Sequence, residues 1–122
     1  MAEPVAASLV ELRSEDGIDV IAVRPKEVFR ADVIEALGRQ LRRAIEASRG
    51  TRFVLDLSAV EFLTSAALGL IINIQVHLTG LGHRFAVAGV SGEVAGVFEY
   101  TRLKDVMLVY ATVEEAVKAM KA

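Results

Sequence analysis

The sequence predicts a single α/β domain with a mixed, mostly parallel β-sheet, entered through an N-terminal hairpin and carrying about four helices. Three observations predict this class. Strand-like apolar segments alternate with helical segments from residue 31 onward, which is typical of strands joined by helical crossovers. Residues 53–55 are apolar without alternation, as in a strand covered on both faces. Two earlier strand patterns flank a short turn that ends in Gly17.

The length of 122 residues suits one domain with one core, which we place at about residues 8–120 of 1–122. The hairpin consists of strands at 8–13 and 18–23 and a turn at 14–17. Pro25 disfavours helical backbone at the residue before it, so residues 24–30 are predicted to form a loop.

Residues 31–48 predict an amphipathic helix. Its apolar stripe consists of Val33, Leu37, Leu41 and Ile45, which recur every four residues. Glu35 precedes Arg39 by four residues, a favourable pair worth about 0.2–0.5 kcal/mol. Gly50 is predicted to stop this helix.

The rest of the chain continues the alternation of strands and helices. Strands are predicted at 51–57, 84–90 and 106–110, and helices at 64–79, 91–100 and 112–120. Gly80 and Gly82 are predicted to end the second helix. Ser91 is a candidate N-cap, and Thr112 with Glu115 has the spacing of a capping box.

Charge and composition exclude several classes of function. The formal net charge of -2 predicts no strong attraction to nucleic acid or to an anionic membrane. One basic cluster is interpreted as a solvated helix face: Arg39, Arg42, Arg43, Arg49 and Arg52. The chain has no cysteine, and His77 and His83 are not spaced as paired ligands on one helix. We therefore expect no metal and no cofactor.

The mean hydropathy of +0.44 predicts a large core rather than a membrane span. The most apolar stretch, 66–81, is interrupted by polar residues and is shorter than the run of about 18 residues that a membrane helix needs. The start of the chain, residues 1–5, is unlike a secretory signal, so we expect a cytoplasmic protein. The apolar excess allows a homodimer without requiring one.

No enzymatic motif is present. Neither the phosphate-binding Gly-x-x-x-x-Gly-Lys-Ser/Thr pattern nor Gly-x-Gly-x-x-Gly after a strand occurs. Ser65 lacks the Gly-x-Ser-x-Gly context of a hydrolase nucleophile. Asp56, near the end of a buried strand, is interpreted as an acceptor of hydrogen bonds from the turn that follows it. We expect that the protein is not an enzyme.

Two adjacent hydroxyls, Thr64 and Ser65, open the second predicted helix. Backbone N–H groups at a helix start have no intrahelical partner, and the helix dipole favours an anion there. A phosphate at this point would change charge and shape while the fold stays intact. The alternative interpretation of Ser65 is an ordinary cap or first-turn hydroxyl.

Residues 55–69, Leu-Asp-Leu-Ser-Ala-Val-Glu-Phe-Leu-Thr-Ser-Ala-Ala-Leu-Gly, resemble the core motif of STAS domains (sulfate transporter and anti-sigma factor antagonist). The junction at 88–91 and the segments 97–103 and 113–116 are similar to later parts of that family. The resemblance extends from about residue 10 to residue 120.

The resemblance implies a bacterial binding switch that regulates transcription. Stand-alone members bind an anti-sigma factor that is also a serine kinase, and phosphorylation of one serine breaks the complex until a phosphatase resets it. The matching serine is Ser65, with Thr64 as the alternative acceptor. The predicted partner-binding residues are Thr64, Ser65, Ala66, Leu68, Arg24, Lys26 and Ser91.

The chain departs from the family's usual Asp-Ser-x-Gly-Leu pattern at two positions. Thr64 stands at the aspartate position and Ala67 at the glycine position. These departures favour an alternative, in which the domain is a non-phosphorylated scaffold or accessory subunit of a stress-sensing or lipid-transport complex.

Overall fold

The computed structural model describes residues 8–121. Its strands are β1 (Val10–Glu15), β2 (Ile18–Val23), β3 (Glu27–Val28), β4 (Arg52–Asp56), β5 (Phe62–Leu63), β6 (Arg84–Ala88) and β7 (Leu108–Tyr110). Its α-helices are α1 (Ala31–Ala47), α2 (Ser65–Gly80), α3 (Gly92–Tyr100) and α4 (Val113–Lys121). A short 3₁₀ helix spans Leu103–Asp105.

The main sheet has five strands in the order β1-β2-β4-β6-β7. β1 and β2 are antiparallel, and the other neighbours are parallel. The hairpin turn at Asp16 and Gly17 has positive φ at both residues, 52° and 80°, the conformation of a two-residue turn that matches strand twist. The predicted class, a mixed and mostly parallel sheet entered by a hairpin, is confirmed.

The central strand β4 separates two layers of core. Phe53 and Leu55 face one side, where they belong to the same buried cluster as residues of α1, α2 and α3. Val54 faces the other side and packs with Ala116 and Met120 of α4. The strand order advances in one direction, so right-handed crossovers place the first three helices on one face.

The end of α1 differs from the prediction. The helix ends at Ala47, and its C-cap Ser48 is extended with φ -87° and ψ 146°, so Gly50 is not the helix stop. The Ser48 hydroxyl instead donates a hydrogen bond of 2.5 Å to Asp19 Oδ2 and accepts one of 2.9 Å from the Gly50 N–H. A Cβ at residue 50 would overlap the Asp19 carboxylate, which explains the glycine.

Two short strands were not predicted. β3 lies within the predicted loop 24–30 and pairs in parallel with β5, in the register Glu27 with Phe62 and Val28 with Leu63. Near the other end of the chain, the 3₁₀ helix precedes β7, so that strand begins at Leu108 rather than at residue 106.

Over residues 8–121, none of the helices is both long enough and apolar enough to cross a bilayer.

Gly89 follows β6 at a close approach between chain segments. Its φ of +77° lies in the left-handed region, and a Cβ there would come within 2.7 Å of the Ser58 backbone nitrogen and 2.8 Å of Asp56 Oδ1. Gly82, in the turn after α2, has a nearly identical φ of +79° but has no atom within 4 Å of an added Cβ.

We expect Gly89→Ala to lower the free energy of unfolding by about 2–4 kcal/mol, because positive φ and steric overlap both oppose the side chain. Gly82→Ala is the matched control, with a loss of about 1 kcal/mol from backbone strain alone. Urea denaturation measures both values. Equal losses for the two variants would show that the contact with the 56–58 turn contributes nothing.

Candidate functional site

Several helices begin at the carboxyl edge of the sheet. α2 follows β4 through the short β5, α3 follows β6, and α4 follows β7. Parallel strands end at the same edge, so the positive ends of these helices lie along it. The predicted residues Ser65 and Ser91 belong to this edge.

Thr64 is the N-cap of α2. Its backbone is extended, with φ -97° and ψ 171°, and its Oγ1 accepts a hydrogen bond of 3.4 Å from the Ala67 N–H. The Thr64 N–H donates to the Val28 carbonyl at 3.2 Å, and the Thr64 carbonyl accepts from the Leu68 N–H at 3.0 Å. The threonine therefore joins the start of the helix to β3.

Ser65 is the first residue of α2, and its side chain is exposed, as is that of Ala66. Both residues lie where backbone N–H groups have no acceptor inside the helix. An anionic group on Ser65 would meet the positive end of the helix dipole and remain in contact with solvent. The geometry therefore provides an accessible hydroxyl at a position that tolerates negative charge.

Leu68 does not belong to the accessible surface. It is only 6% exposed and lies in the core cluster with Leu63 and Ile71. The structure therefore buries this residue, which was predicted to bind the partner. One helical turn after Thr64, the side chain points inward and supports the first turn from below.

The β3–β5 ladder brings Lys26 beside the segment that leads into α2. The Lys26 carbonyl accepts hydrogen bonds from the N–H groups of Glu61, at 2.7 Å, and Phe62, at 3.1 Å. The Lys26 side chain is exposed. Two distant parts of the sequence are thus held together next to Ser65.

An exposed aromatic pair covers this ladder. The rings of Phe29 and Phe62 meet edge to face, with centroids 6.3 Å apart and planes at 76°. Each residue is 46% exposed. Exposed aromatic side chains are typical anchors of protein interfaces. Neither residue belongs to a periodic pattern, so the sequence alone does not predict this pair.

Ser91 and Arg24 are the remaining predicted partner-binding residues. Ser91 is the N-cap of α3 by backbone geometry, with φ -153° and ψ 166°, but its side chain makes no cap hydrogen bond. It lines an open cleft with Phe62, Ser58 and three acidic residues, namely Glu27, Glu61 and Glu93. The Arg24 N–H bonds to the Leu9 carbonyl at 2.9 Å, which places its backbone beside β1.

Asp56 fixes the turn after β4. Its Oδ1 accepts hydrogen bonds from the Ser58 N–H, at 2.9 Å, and from the Ser58 hydroxyl, at 2.5 Å. Its Oδ2 lies 3.6 Å from the guanidinium of Arg13. Asp56 is 8% exposed, so these partners offset the cost of burying its charge. The interpretation of Asp56 as an acceptor for the following turn is confirmed.

The other polar candidates lie where the sequence placed them. His77 is exposed, and His83 is partly buried with its ring 6.0 Å from that of Phe53. In the basic cluster, Arg52 is half-buried and the other four side chains are exposed. Arg39 forms the predicted ion pair with Glu35 at 3.4 Å.

The sequence and the fold identify the family. The model of the STAS domain matches residues 10–116. The chain belongs to the STAS domain family. The resemblance predicted from residues 55–69 is confirmed by this match.

The proteins similar to this chain include anti-sigma factor antagonists. A candidate anti-sigma factor antagonist of Thermotoga neapolitana is 31% identical over 70 residues, which cover 57% of this chain and 62% of that relative. A solved anti-sigma factor antagonist from Mycobacterium paratuberculosis is 26% identical, with 93% of each chain covered and a TM-score of 0.82. A STAS protein from Planctomyces limnophilus shares the fold at 23% identity, TM-score 0.80, over 93% of this chain and 98% of the other.

Thr64 and Ser65 should differ in their effect on stability. We expect Thr64→Ala to lower the free energy of unfolding by about 1 kcal/mol, because the N-cap hydrogen bond is lost. Ser65→Ala should change it by less than about 0.5 kcal/mol, since the side chain is exposed. Thermal and urea denaturation measure both. A larger loss for Ser65→Ala would mean that Ser65, and not Thr64, caps the helix.

Proposed function

We propose that this STAS domain is an anti-sigma factor antagonist that binds a kinase-type anti-sigma factor through the start of α2, and that phosphorylation of Ser65 breaks the complex. The observation that carries the proposal is the exposed hydroxyl of Ser65 at a helix N-terminus. The names of the related anti-sigma factor antagonists support the general role.

The electrostatics of the helix start supports a switch that acts on binding more than on folding. A phosphate brings about -1.5 to -2 charges, which the helix dipole and water stabilise in the free protein. In a complex, a partner surface fitted to a neutral hydroxyl would strip water from the dianion without replacing its hydrogen bonds. Association with the partner would therefore become less favourable, while the fold stays stable.

The surroundings of Ser65 suggest the chemistry of the partner's surface. Phe29 and Phe62 offer an apolar contact, and Glu27 and Glu61 are exposed beside it. A partner that is apolar at the centre and basic at the rim would match this surface.

The residues at 64 and 67 favour the second candidate, a scaffold or accessory subunit with no phosphorylation cycle. Thr64 replaces the acid that usually precedes the acceptor serine, and its hydroxyl acts as a helix cap. Ala67 is buried, so its methyl group fills core space under the first turn. Phosphorylation assays distinguish the two candidates directly.

Incubation with ATP and a kinase-type anti-sigma factor that binds this chain should add the mass of one phosphate. We expect Ser65→Ala to abolish the added mass and Thr64→Val to retain it, and intact-mass spectrometry measures both. If Ser65→Ala gained the mass of one phosphate and Thr64→Val did not, the phosphate acceptor would be Thr64 rather than Ser65. No labelling of the wild-type chain by an active kinase would support the scaffold candidate.

A negative charge at Ser65 should weaken binding of the same anti-sigma factor. We expect Ser65→Asp to raise Kd at least about tenfold, equivalent to 1.4 kcal/mol, through desolvation of the added carboxylate. Thr79→Asp adds the same charge at the far end of α2 and should leave Kd within about twofold. Isothermal titration calorimetry measures both. Unchanged affinity for Ser65→Asp would contradict the proposed switch.

The aromatic pair should carry part of the binding energy. We expect Phe62→Ala to raise Kd about tenfold or more, because truncation of a central aromatic anchor typically costs over 1 kcal/mol. Tyr100→Ala is the control, since Tyr100 is 91% exposed and ends α3 away from the carboxyl edge. If the two truncations changed Kd equally, the β3–β5 pair would not be part of the binding surface.

A further inference from the structure

Among residues 8–121, no strand pairs with the outer edge of β1. Within residues 8–121, the only strand hydrogen-bonded to β1 is β2. The pairing runs regularly from Val10 with Val23 to Glu15 with Ile18, without a bulge. Natural proteins usually protect such an edge with charged side chains, a proline, a bulge or a covering element, because it offers a template for another strand. Of these, β1 carries only charges, and they are of both signs.

The register of the hairpin shows which groups point outward. A two-residue turn makes its flanking residues, Glu15 and Ile18, a hydrogen-bonded pair, so alternate β1 residues bond to β2. The Leu9 carbonyl, which has the same parity, accepts from the Arg24 N–H at 2.9 Å. The N–H and C=O groups of Val10, Leu12 and Ser14 therefore face the free edge. The Val10 carbonyl accepts a hydrogen bond of 2.7 Å from the Ser8 hydroxyl and keeps one lone pair for a further donor.

The free edge also exposes an apolar side chain. Leu12 is 58% exposed on the face that carries α1, beside a shallow groove lined by Ala44, Ala47 and Phe53. On the opposite face, β1 presents charges of both signs, with Glu11 and Arg13 two residues apart. An occupant of this edge needs outward-facing backbone groups, one apolar side chain and complementary charges.

A second copy of β1 satisfies all three requirements in one register. We propose that two chains pair antiparallel through β1 about a two-fold axis at Leu12. Leu12 then faces Leu12 of the second copy in a hydrogen-bonded pair, and Val10 faces Ser14.

Glu11 of each chain lies opposite Arg13 of the other, which gives two opposite-charge pairs. Within its own chain, Arg13 also lies 3.2 Å from Glu15 and 3.6 Å from Asp56, so each pair would extend a cluster of charges.

Neighbouring registers are less favourable. A shift that pairs Glu11 with Glu11, or Arg13 with Arg13, places like charges directly opposite each other. The register that pairs Arg13 with Glu15 keeps the charges matched but sets Leu12 opposite Asp16 of the turn. Only the register centred on Leu12 combines charge matching with an apolar contact over residues 10–14.

The proposed dimer joins two five-stranded sheets into one continuous sheet. β1 lies at the opposite side of the sheet from β6 and β7, and α1 packs beside it. The start of α2 remains accessible in each copy. This inference is independent of the proposed function, since it involves neither Ser65 nor the aromatic pair.

Cysteine cross-linking tests the register, because the natural chain contains no cysteine. At the proposed axis, Cα atoms of residue 12 would be about 5.5 Å apart, within disulfide range. We expect Leu12→Cys to form a covalent dimer under mild oxidation at least about tenfold faster than Leu81→Cys, whose exposure of 56% makes it the collision control. Ser14→Cys should not cross-link, since its thiols would lie about 13 Å apart.

Sedimentation equilibrium of the wild-type chain and two charge variants completes the test. We expect a concentration-dependent dimer whose Kd rises about tenfold in Glu11→Lys, which faces Arg13, and stays within about twofold in Glu99→Lys, which adds the same charge change at an exposed position of α3. If Ser14→Cys cross-linked and Leu12→Cys did not, the register centred on Ser14 would replace the proposed one. A wild-type chain that stays monomeric, or a dimer indifferent to Glu11→Lys, would overturn the proposal.

Discussion

The burial of β4 on both faces is the constraint on which the rest of the structure depends. Phe53 and Leu55 fill the larger core on one side, and Val54 fills the smaller core under α4 on the other. A strand buried in this way needs parallel neighbours on both edges and helices above and below it. With the strand order fixed, the helices that follow the strands must begin at the carboxyl edge, where Ser65 lies.

Polar contacts at the end of β4 convert this constraint into a defined surface. Asp56 binds the backbone and hydroxyl of Ser58, which turns the chain toward β5. β5 then pairs with β3, and Thr64 both donates to Val28 and caps α2. The exposed first turn of α2 is therefore held by contacts on either side, so its charge can change without a change in its position.

The sequence predicted the elements whose pattern is local and missed those that depend on distant partners. β2 and α1 follow from alternation and from the four-residue stripe of Leu37, Leu41 and Ile45, all of which are buried. β3 and β5 are each two residues long, too short for a period, and form only because they meet each other. The exposed pair of Phe29 and Phe62 is a product of that meeting and has no signal in the sequence.

The same distinction applies within the motif at α2. Ser65 and Ala66 were predicted to bind the partner, and both are exposed, because the first residues of the helix precede its buried stripe. Leu68 was assigned to the same surface from its place in the motif, but it lies two residues after the exposed Ala66, on the opposite side of the helix, and packs in the core.

Thr64 changes the electrostatics of any charge placed on Ser65. A carboxylate at this N-cap would stand next to a phosphate and repel it, whereas the threonine hydroxyl caps the same Ala67 N–H without charge. A phosphate on Ser65 would then meet the positive helix end with one fewer negative neighbour. The free protein would tolerate the modification more easily than a chain with an acidic cap. The main free-energy cost of the phosphate would therefore arise at the partner's surface, which is where the proposed switch requires it.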